Sequence, residues 1–103
     1  MLTQDNANQV HAALSSIDLP FLTVEFSTLG GIEHASILVT ISKQKREEWE
    51  NGIFHNSSYR MFSLTPDMRL ESFSGYNTNK FRAGKVKSVE HAIEKLKTWW
   101  QTA

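Results

Sequence analysis

The chain gives its clearest fold signal in residues 57–75, which read SSYRMFSLTPDMRLESFSG. Two runs that mix apolar and polar residues flank the Thr-Pro-Asp sequence at 65–67, and proline suits the first corner of a type I turn. We therefore predict an antiparallel hairpin. A two-residue loop would place Met61 opposite Ser72, whereas a longer loop would shift that register, and the sequence leaves both open.

A second hairpin is predicted upstream of the first. Residues 21–27, FLTVEFS, and residues 35–42, ASILVTIS, alternate between apolar and polar side chains, which is the period of a half-buried strand. The stretch TLGG at 28–31 lies between them, and its two glycines supply backbone freedom for a rather long loop. The side chains expected to face the core are Leu22, Val24, Phe26, Ile37, Val39 and Ile41.

Both ends of the chain have helical periodicity. Residues 4–16 carry apolar side chains at helical spacing, and Pro20 disfavours helix beyond them. The last helix begins near Ser88, whose hydroxyl can cap the first free amides. The apolar positions of the first helix are Ala7, Val10, Ala13, Leu14 and Ile17.

The segments between the hairpins and the last helix are read from their composition. KQKREEWENG at 43–52 is densely charged and predicts one or two exposed helical turns, ended by Asn51 and Gly52, with Trp49 holding the segment to the body. GYNTNK at 75–80 predicts an exposed loop, and FRAGKVK at 81–87 a short edge strand.

The order of elements predicts the fold class. Strands grouped between terminal helices indicate an α+β domain. We expect an antiparallel sheet of about four strands, with the N-terminal and C-terminal helices packed on one face. The chain has 103 residues, so we expect residues 1–103 to form a single α+β domain.

Two adjacent tryptophans close the last helix. Six apolar residues of this helix fall within an arc of about 120° if each residue advances by about 100°. Trp100 lies near the middle of that arc and Trp99 at its edge. We therefore predict that Trp100 is a core residue and that Trp99 is a rim residue available to a partner. The six residues are Val89, Ala92, Ile93, Leu96, Trp99 and Trp100.

Charge is unevenly distributed along a chain whose formal net charge is zero. Residues 1–42 contain four acidic and no basic residues, so all eleven basic residues and the other seven acidic ones follow, and the two halves carry −4 and +4. Either the halves pack so that the charges mix on one surface, or the molecule has an acidic and a basic face that can steer a partner.

Composition and motifs exclude several kinds of chemistry. The chain has no cysteine, which rules out disulfides, thiolate zinc sites and a cysteine nucleophile. We find no secretory signal at the start and no window near the roughly 20 apolar residues that span a bilayer, so we expect a soluble, cytoplasmic protein without membrane contact.

No catalytic motif is recognisable either. The four histidines lie far apart, so we expect no metal, and His91 falls on the polar side of the last helix, where we expect it to be solvated. No serine lies in a nucleophile elbow, and no glycine loop suits phosphate. We therefore expect a protein that is not an enzyme, has no cofactor and has no small-molecule substrate.

The most specific feature of the sequence is GYNTNKFRAGKVKS at 75–88. Two aromatic rings are interleaved with four cations there, and such a mixture suits nucleic acid because cations pair with phosphates while rings stack on bases or sugars. Alternatively, the charges protect a sheet edge from aggregation. Together with the predicted rim tryptophan, the candidate macromolecule-binding residues are Tyr76, Lys80, Phe81, Arg82, Lys85, Lys87 and Trp99.

These observations predict a small non-enzymatic binding protein that acts through a surface contact with a protein partner or with a second copy of itself. Compact domains of this kind are common among accessory and regulatory proteins of mobile elements. The alternative is a nucleic-acid-binding module that uses the basic segment 80–87. A homodimer would form through an exposed sheet edge or through an aromatic residue at a helix rim. The candidate edges are the last strand and the YRMFSL strand at 59–64.

Overall fold

The computed structural model describes residues 1–17, 19, 21–42, 46–52, 59–75 and 84–102, without the side chains of 46, 49, 59, 73–75, 101 and 102. Within these residues the predicted α+β class is confirmed, as a five-stranded antiparallel sheet with the terminal helices contacting the sheet and each other. The elements are α1 (Gln4–Ser15), β1 (Phe21–Ser27), a 3-10 turn (Ile32–His34), β2 (Ser36–Ser42), α2 (Arg46–Glu50), β3 (Tyr59–Leu64), β4 (Arg69–Gly75), β5 (Gly84–Lys85) and α3 (Val89–Thr102).

The order of strands in the sheet follows their order in the chain, β1-β2-β3-β4-β5. Every neighbouring pair is antiparallel, so the described sheet is a meander with β1 and β5 at its edges. The last strand is therefore an edge, as predicted, although it has only two residues. The prediction that the YRMFSL strand is an edge was wrong, because β3 pairs with β2 on one side and with β4 on the other.

The register of the β3–β4 hairpin follows from the longer of the two loops that the sequence allows. Leu64 lies opposite Leu70 and Phe62 opposite Ser72, and the pairing then shifts by one residue next to Met61. This shift is a β-bulge, which gives one strand an extra residue. Met61 consequently faces Ser74 and not Ser72.

The core lies between the helices and one face of the sheet. The three predicted inward residues of β2 are at most 2 % exposed, and strand pairing places Val39 against Phe62 and Ile37 against Leu64. Ala7, Val10 and Leu14 of α1 are buried against the same core, as their spacing predicted. The inward residues of β1, which are Leu22, Val24 and Phe26, pack against this core but are only partly buried.

Side chains cap the first turns of both long helices. The Thr3 hydroxyl accepts a hydrogen bond from the Asn6 amide, and the Asn6 side chain accepts one from the Thr3 amide, which forms a capping box. The predicted Ser88 cap of α3 is confirmed, because its hydroxyl accepts from the His91 amide at 3.1 Å. The predicted short helical connection is confirmed as α2, while the role of Trp49 lies outside the described side chains.

The assignment of the two tryptophans was wrong. Trp99 is 8 % exposed and belongs to the buried core, whereas Trp100 is only partly buried and packs against that core. The Trp99 ring meets Phe62 edge-on, with 4.9 Å between ring centroids and 69° between ring planes. Helical periodicity gives the width of an apolar stripe but not how the helix is rotated on the sheet. The contact with Phe62 places the side of α3 that carries Trp99 against the sheet.

Truncation of the two tryptophans should separate their roles. We expect Trp99→Ala to lower the free energy of unfolding by about 3–5 kcal/mol, as for other large buried aromatics, because it leaves a cavity beside Phe62. Trp100→Ala should cost less, because part of that ring is already in water. Urea unfolding of the two variants beside the parent chain measures the difference. A larger loss for Trp100→Ala would contradict the observed rotation of α3.

Candidate macromolecule-binding surface

Three chain connections meet at one end of the sheet. Because the strands alternate in direction without a crossover, the end of β1, the start of β2, the end of β3, the start of β4 and β5 lie side by side. We call the surface formed by residues 28–35, 65–68 and 85–88 the loop end. The pairs that place it there are Ser27 with Ser36, Ile37 with Leu64, Leu64 with Leu70, and Arg69 with Lys85.

The β1–β2 connection begins with a tight turn that exposes an apolar side chain. The Gly31 amide donates to the Thr28 carbonyl at 2.9 Å, and Gly30 has a φ of 91°. A positive φ at the third residue defines a type II turn, for which glycine is strongly preferred. Leu29 occupies the first corner of this turn and is 90 % exposed.

The second half of the same connection is also held by backbone hydrogen bonds. The His34 amide donates to Gly31 and the Ala35 amide donates to Ile32, at 3.1 and 3.2 Å. Ala35 is buried and fixes the connection to the body, while Ile32 remains 54 % exposed. We call Leu29 and Ile32 the apolar tip. Among the described residues, Met1 alone is a further large hydrophobic residue classed as exposed.

The β3–β4 turn occupies the middle of the loop end. The Met68 amide donates to the Thr65 carbonyl at 3.0 Å, and Met68 itself has a φ of 61°, so a type I turn is followed by one left-handed residue. The Thr65 hydroxyl donates to the Asp67 carboxylate. This hydrogen bond lowers the pKa of Asp67, and the positive charges of Arg69 and Lys85 lower it further.

Basic side chains occupy the β5 side of the loop end. Lys85 lies opposite Arg69 across the β4–β5 pair, and Lys85 and Lys87 are both exposed. The Val86 amide donates to the Met68 carbonyl at 2.8 Å, which ties the strand to the turn beside it. Acidic groups offset part of this charge, since Arg69 contacts Glu71 with 3.4 Å between Nε and Oε1.

His91 has a structural contact at the start of α3. Its Nδ1 accepts a hydrogen bond from the Lys87 amide at 3.0 Å, while its own amide donates to Ser88. The side chain is half-buried. His91 is partly exposed on the polar side of α3, and it makes in addition a hydrogen bond that the sequence did not predict. Position 91 follows the cap residue by three and can therefore reach back to the preceding amides.

The structure brings together only part of the predicted site. Lys85 and Lys87 lie at the loop end, whereas Trp99 lies in the core and ten residues after Val89, roughly 15 Å further along the helix. The sequence prediction missed Leu29 and Ile32. The signal available for them was an apolar residue on each side of a glycine pair in a turn. Four predicted residues lie outside the described residues, namely Tyr76, Lys80, Phe81 and Arg82.

No group of three or more His, Asp or Glu side chains in the described part of the chain could hold a metal ion. None of its helices is long and apolar enough to cross a membrane. The cytoplasmic location, the absence of a cofactor and the absence of enzymatic activity stay predictions from the sequence.

No protein-family model matches the chain, and no curated protein or solved structure matches it either. The function proposed below therefore depends on the geometry of the chain itself.

The pKa of Asp67 provides a test of the turn geometry. We expect Thr65→Val to raise this pKa towards the ordinary value of an aspartate, because it removes the hydrogen bond that is the largest cause of the lowering. A pKa lowered by folding means that the ionised carboxylate stabilises the fold at neutral pH, and that this contribution is lost as the pH falls through the lowered value.

Carbon-detected NMR titration of the Asp67 carboxyl group measures the change, with Arg69→Gln as the matched variant. Loss of the Arg69 charge should raise the pKa less than loss of the Thr65 hydroxyl. An unchanged pKa in Thr65→Val would contradict the described turn.

Proposed function

We propose that the chain is a small non-enzymatic binding protein, with an accessory or regulatory role, that acts by occupying a surface of another protein through its loop end. The observation that carries this proposal is the exposure of Leu29, which is 90 % accessible on a connection whose backbone is hydrogen-bonded in place. Single exposed apolar residues are common on protein surfaces. Two of them on one hydrogen-bonded connection offer apolar area that a partner can bury.

The apolar tip is suited to binding because its conformation is already fixed. Full burial of a leucine or isoleucine side chain stabilises a complex by about 1.5–3 kcal/mol. A loop ordered before binding loses little conformational entropy when the partner arrives, so more of this energy appears as affinity. The positive φ values of Gly30 and Gly31, 91° and 106°, keep the turn in a shape that other residues rarely adopt.

The charges of the loop end indicate what the partner presents. Five adjacent strands span about 19 Å, which fits the roughly 800 Å² that each partner contributes to a standard interface. The apolar tip lies at the β1–β2 side, and Lys85 and Lys87 lie at the β5 side. A protein surface with an apolar pocket beside acidic side chains is complementary to this arrangement.

Removal of the apolar tip tests the proposal. A partner is first isolated on the tagged chain at low salt and identified by mass spectrometry, and its dissociation constant is then measured with the purified chain. We expect the double variant Leu29→Ser, Ile32→Ser to weaken binding by about 30-fold or more, which corresponds to the loss of about 2 kcal/mol typical of one interface anchor.

The matched control is Glu33→Gln, which changes an exposed residue of the same connection and leaves the apolar tip intact. This control should bind like the parent chain, and both variants should unfold at the parent temperature because the changed side chains are exposed. Equal affinity of the double variant and the parent would overturn the proposal.

The second candidate function is a nucleic-acid-binding module that uses the basic segment 80–87. It is favoured by the exposure of Lys85 and Lys87 next to Arg69. Asp67 and Glu71 lie near these cations, however, and the formal net charge of the chain is zero. Strong nucleic-acid binders usually have a clearly basic footprint.

Retention on duplex DNA at low salt decides between the two functions. If nucleic acid is the ligand, Lys85→Glu combined with Lys87→Glu should abolish retention, because phosphate contacts depend on these charges. The matched control is Lys95→Glu with Lys97→Glu, which makes the same change of charge on α3. Equal retention of both double variants and the parent would remove this alternative.

A further inference from the structure

Strand β1 is an edge of the described sheet that lacks the usual protection. Its seven residues pair with β2 without a register shift, and no strand in the described part of the chain pairs with its other side. Edge strands are normally protected by proline, lysine, a bulge or an inward-pointing charge. Residues 21–27 contain none of these, because the one charged residue, Glu25, lies on the exposed face.

The opposite edge is protected in the ordinary way. Among the described residues β5 consists of Gly84 and Lys85, and Lys85 is exposed. A short strand with a lysine offers little backbone to a further strand. The two edges therefore differ in kind, and β1 is the one that can accept a partner strand.

The side chains of β1 also indicate an incomplete core. The inward residues of β2 are at most 2 % exposed, whereas Leu22, Val24 and Phe26 of β1 pack on the same core and are only partly buried. This difference follows from the edge position, since no strand of the described residues covers their outer side. A further strand with its own apolar inward row would remove these side chains from water.

We propose that two copies of the chain pair through β1, antiparallel and about a two-fold axis at Val24, to form one continuous sheet. This is the single register that pairs all seven residues and keeps both inward rows on one face. It places Val24 against Val24 of the partner subunit and Leu22 against Phe26 of the partner subunit. On the exposed face, Thr23 meets Glu25 of the partner subunit. A second copy fits because the strand is complementary to itself, as a two-fold interface requires.

Charge selects this register over the neighbouring one. An axis at Glu25 would place two carboxylates directly opposite each other, which is unfavourable. With the axis at Val24, the two Glu25 residues are diagonal neighbours about 7–8 Å apart. This separation is close to the screening length of about 8 Å at physiological ionic strength, so salt should strengthen the dimer. A head-to-tail contact between the acidic half of one copy and the basic half of another would instead weaken as the salt concentration rises.

The flank of α1 above this edge is also compatible with a second copy. Gln9 hydrogen-bonds Glu90 of α3 at 2.7 Å, so the opposite flank of the helix lies towards the free side of β1. That flank contains Gln4, His11 and Ser15, which are exposed and polar. No acidic side chain of this flank opposes the approach of the same flank in a second copy.

The dimer is independent of the contact proposed for the loop end. Because the chain has no cysteine, introduced cysteines test the strand register of the dimer directly. Thr23→Cys and Glu25→Cys chains are mixed, equilibrated and oxidised. Directly opposite residues lie about 4.5–5.5 Å apart, within the range that a disulfide bridges. We expect linked dimers from the mixture and few from either variant alone. The matched control mixes Thr23→Cys with Thr28→Cys, an exposed position beyond the strand. The same yield of disulfide-linked dimer in every sample, including the control, would overturn the register.

Light scattering provides the second measurement. At high protein concentration the parent chain should have twice the 11.8 kDa mass of one chain, and the fraction of dimer should rise with salt concentration.

Thr23 is exposed, so its substitution should leave the fold intact. We expect Thr23→Glu to weaken and Thr23→Lys to strengthen the dimer, each by about tenfold, because the new charge faces Glu25 of the partner subunit. A parent chain of single mass at every salt concentration would overturn the dimer and leave the loop-end proposal untouched.

Discussion

The edge-on contact between Trp99 and Phe62 is the interaction on which the described arrangement depends. Phe62 belongs to β3, the central strand, and is fully buried, so a ring packed on it fixes α3 against the middle of the sheet. The orientation of α3 in turn sets where the helix begins. Its cap residue Ser88 and the neighbouring Lys87 are thereby held beside the β3–β4 turn. Core packing thus positions one side of the candidate binding surface.

The order of the strands in the sheet explains why the apolar tip and the basic side chains of the loop end lie apart. In a meander, each connection returns to one of two ends, so the β1–β2 connection, the β3–β4 turn and the β5–α3 connection necessarily lie together. The same order leaves the first strand at one edge and the last at the other. The acidic first half of the chain therefore lies on the β1 side of the sheet, and a contact made by the apolar tip is spatially distinct from one made by Lys85 and Lys87.

The sequence was sufficient where one local pattern determines one structural property. Alternation in residues 21–27 and 35–42 identified the inward faces of β1 and β2, and a serine before an apolar run located the start of α3. It was insufficient where two elements have to meet. The rotation of α3 depends on Phe62, which is distant in sequence, and periodicity does not tell which strand becomes an edge. The site was predicted less well than the fold. The structure shows Lys85 and Lys87 on an exposed surface, but it shows Trp99 buried where the sequence predicted a rim residue. The exposure of Leu29 depends on a turn whose outward direction no linear motif encodes.

The central claim is that the loop end is the surface by which this protein binds another macromolecule, and hydrogen exchange tests it most directly. Peptide-resolved exchange is measured for the free chain and for the chain saturated with its isolated partner. We expect the largest slowing in residues 28–35, which carry the apolar tip, with smaller slowing in 65–68 and 85–88. Slowing confined to helices α1 and α3, with residues 28–35 unchanged, would contradict the account.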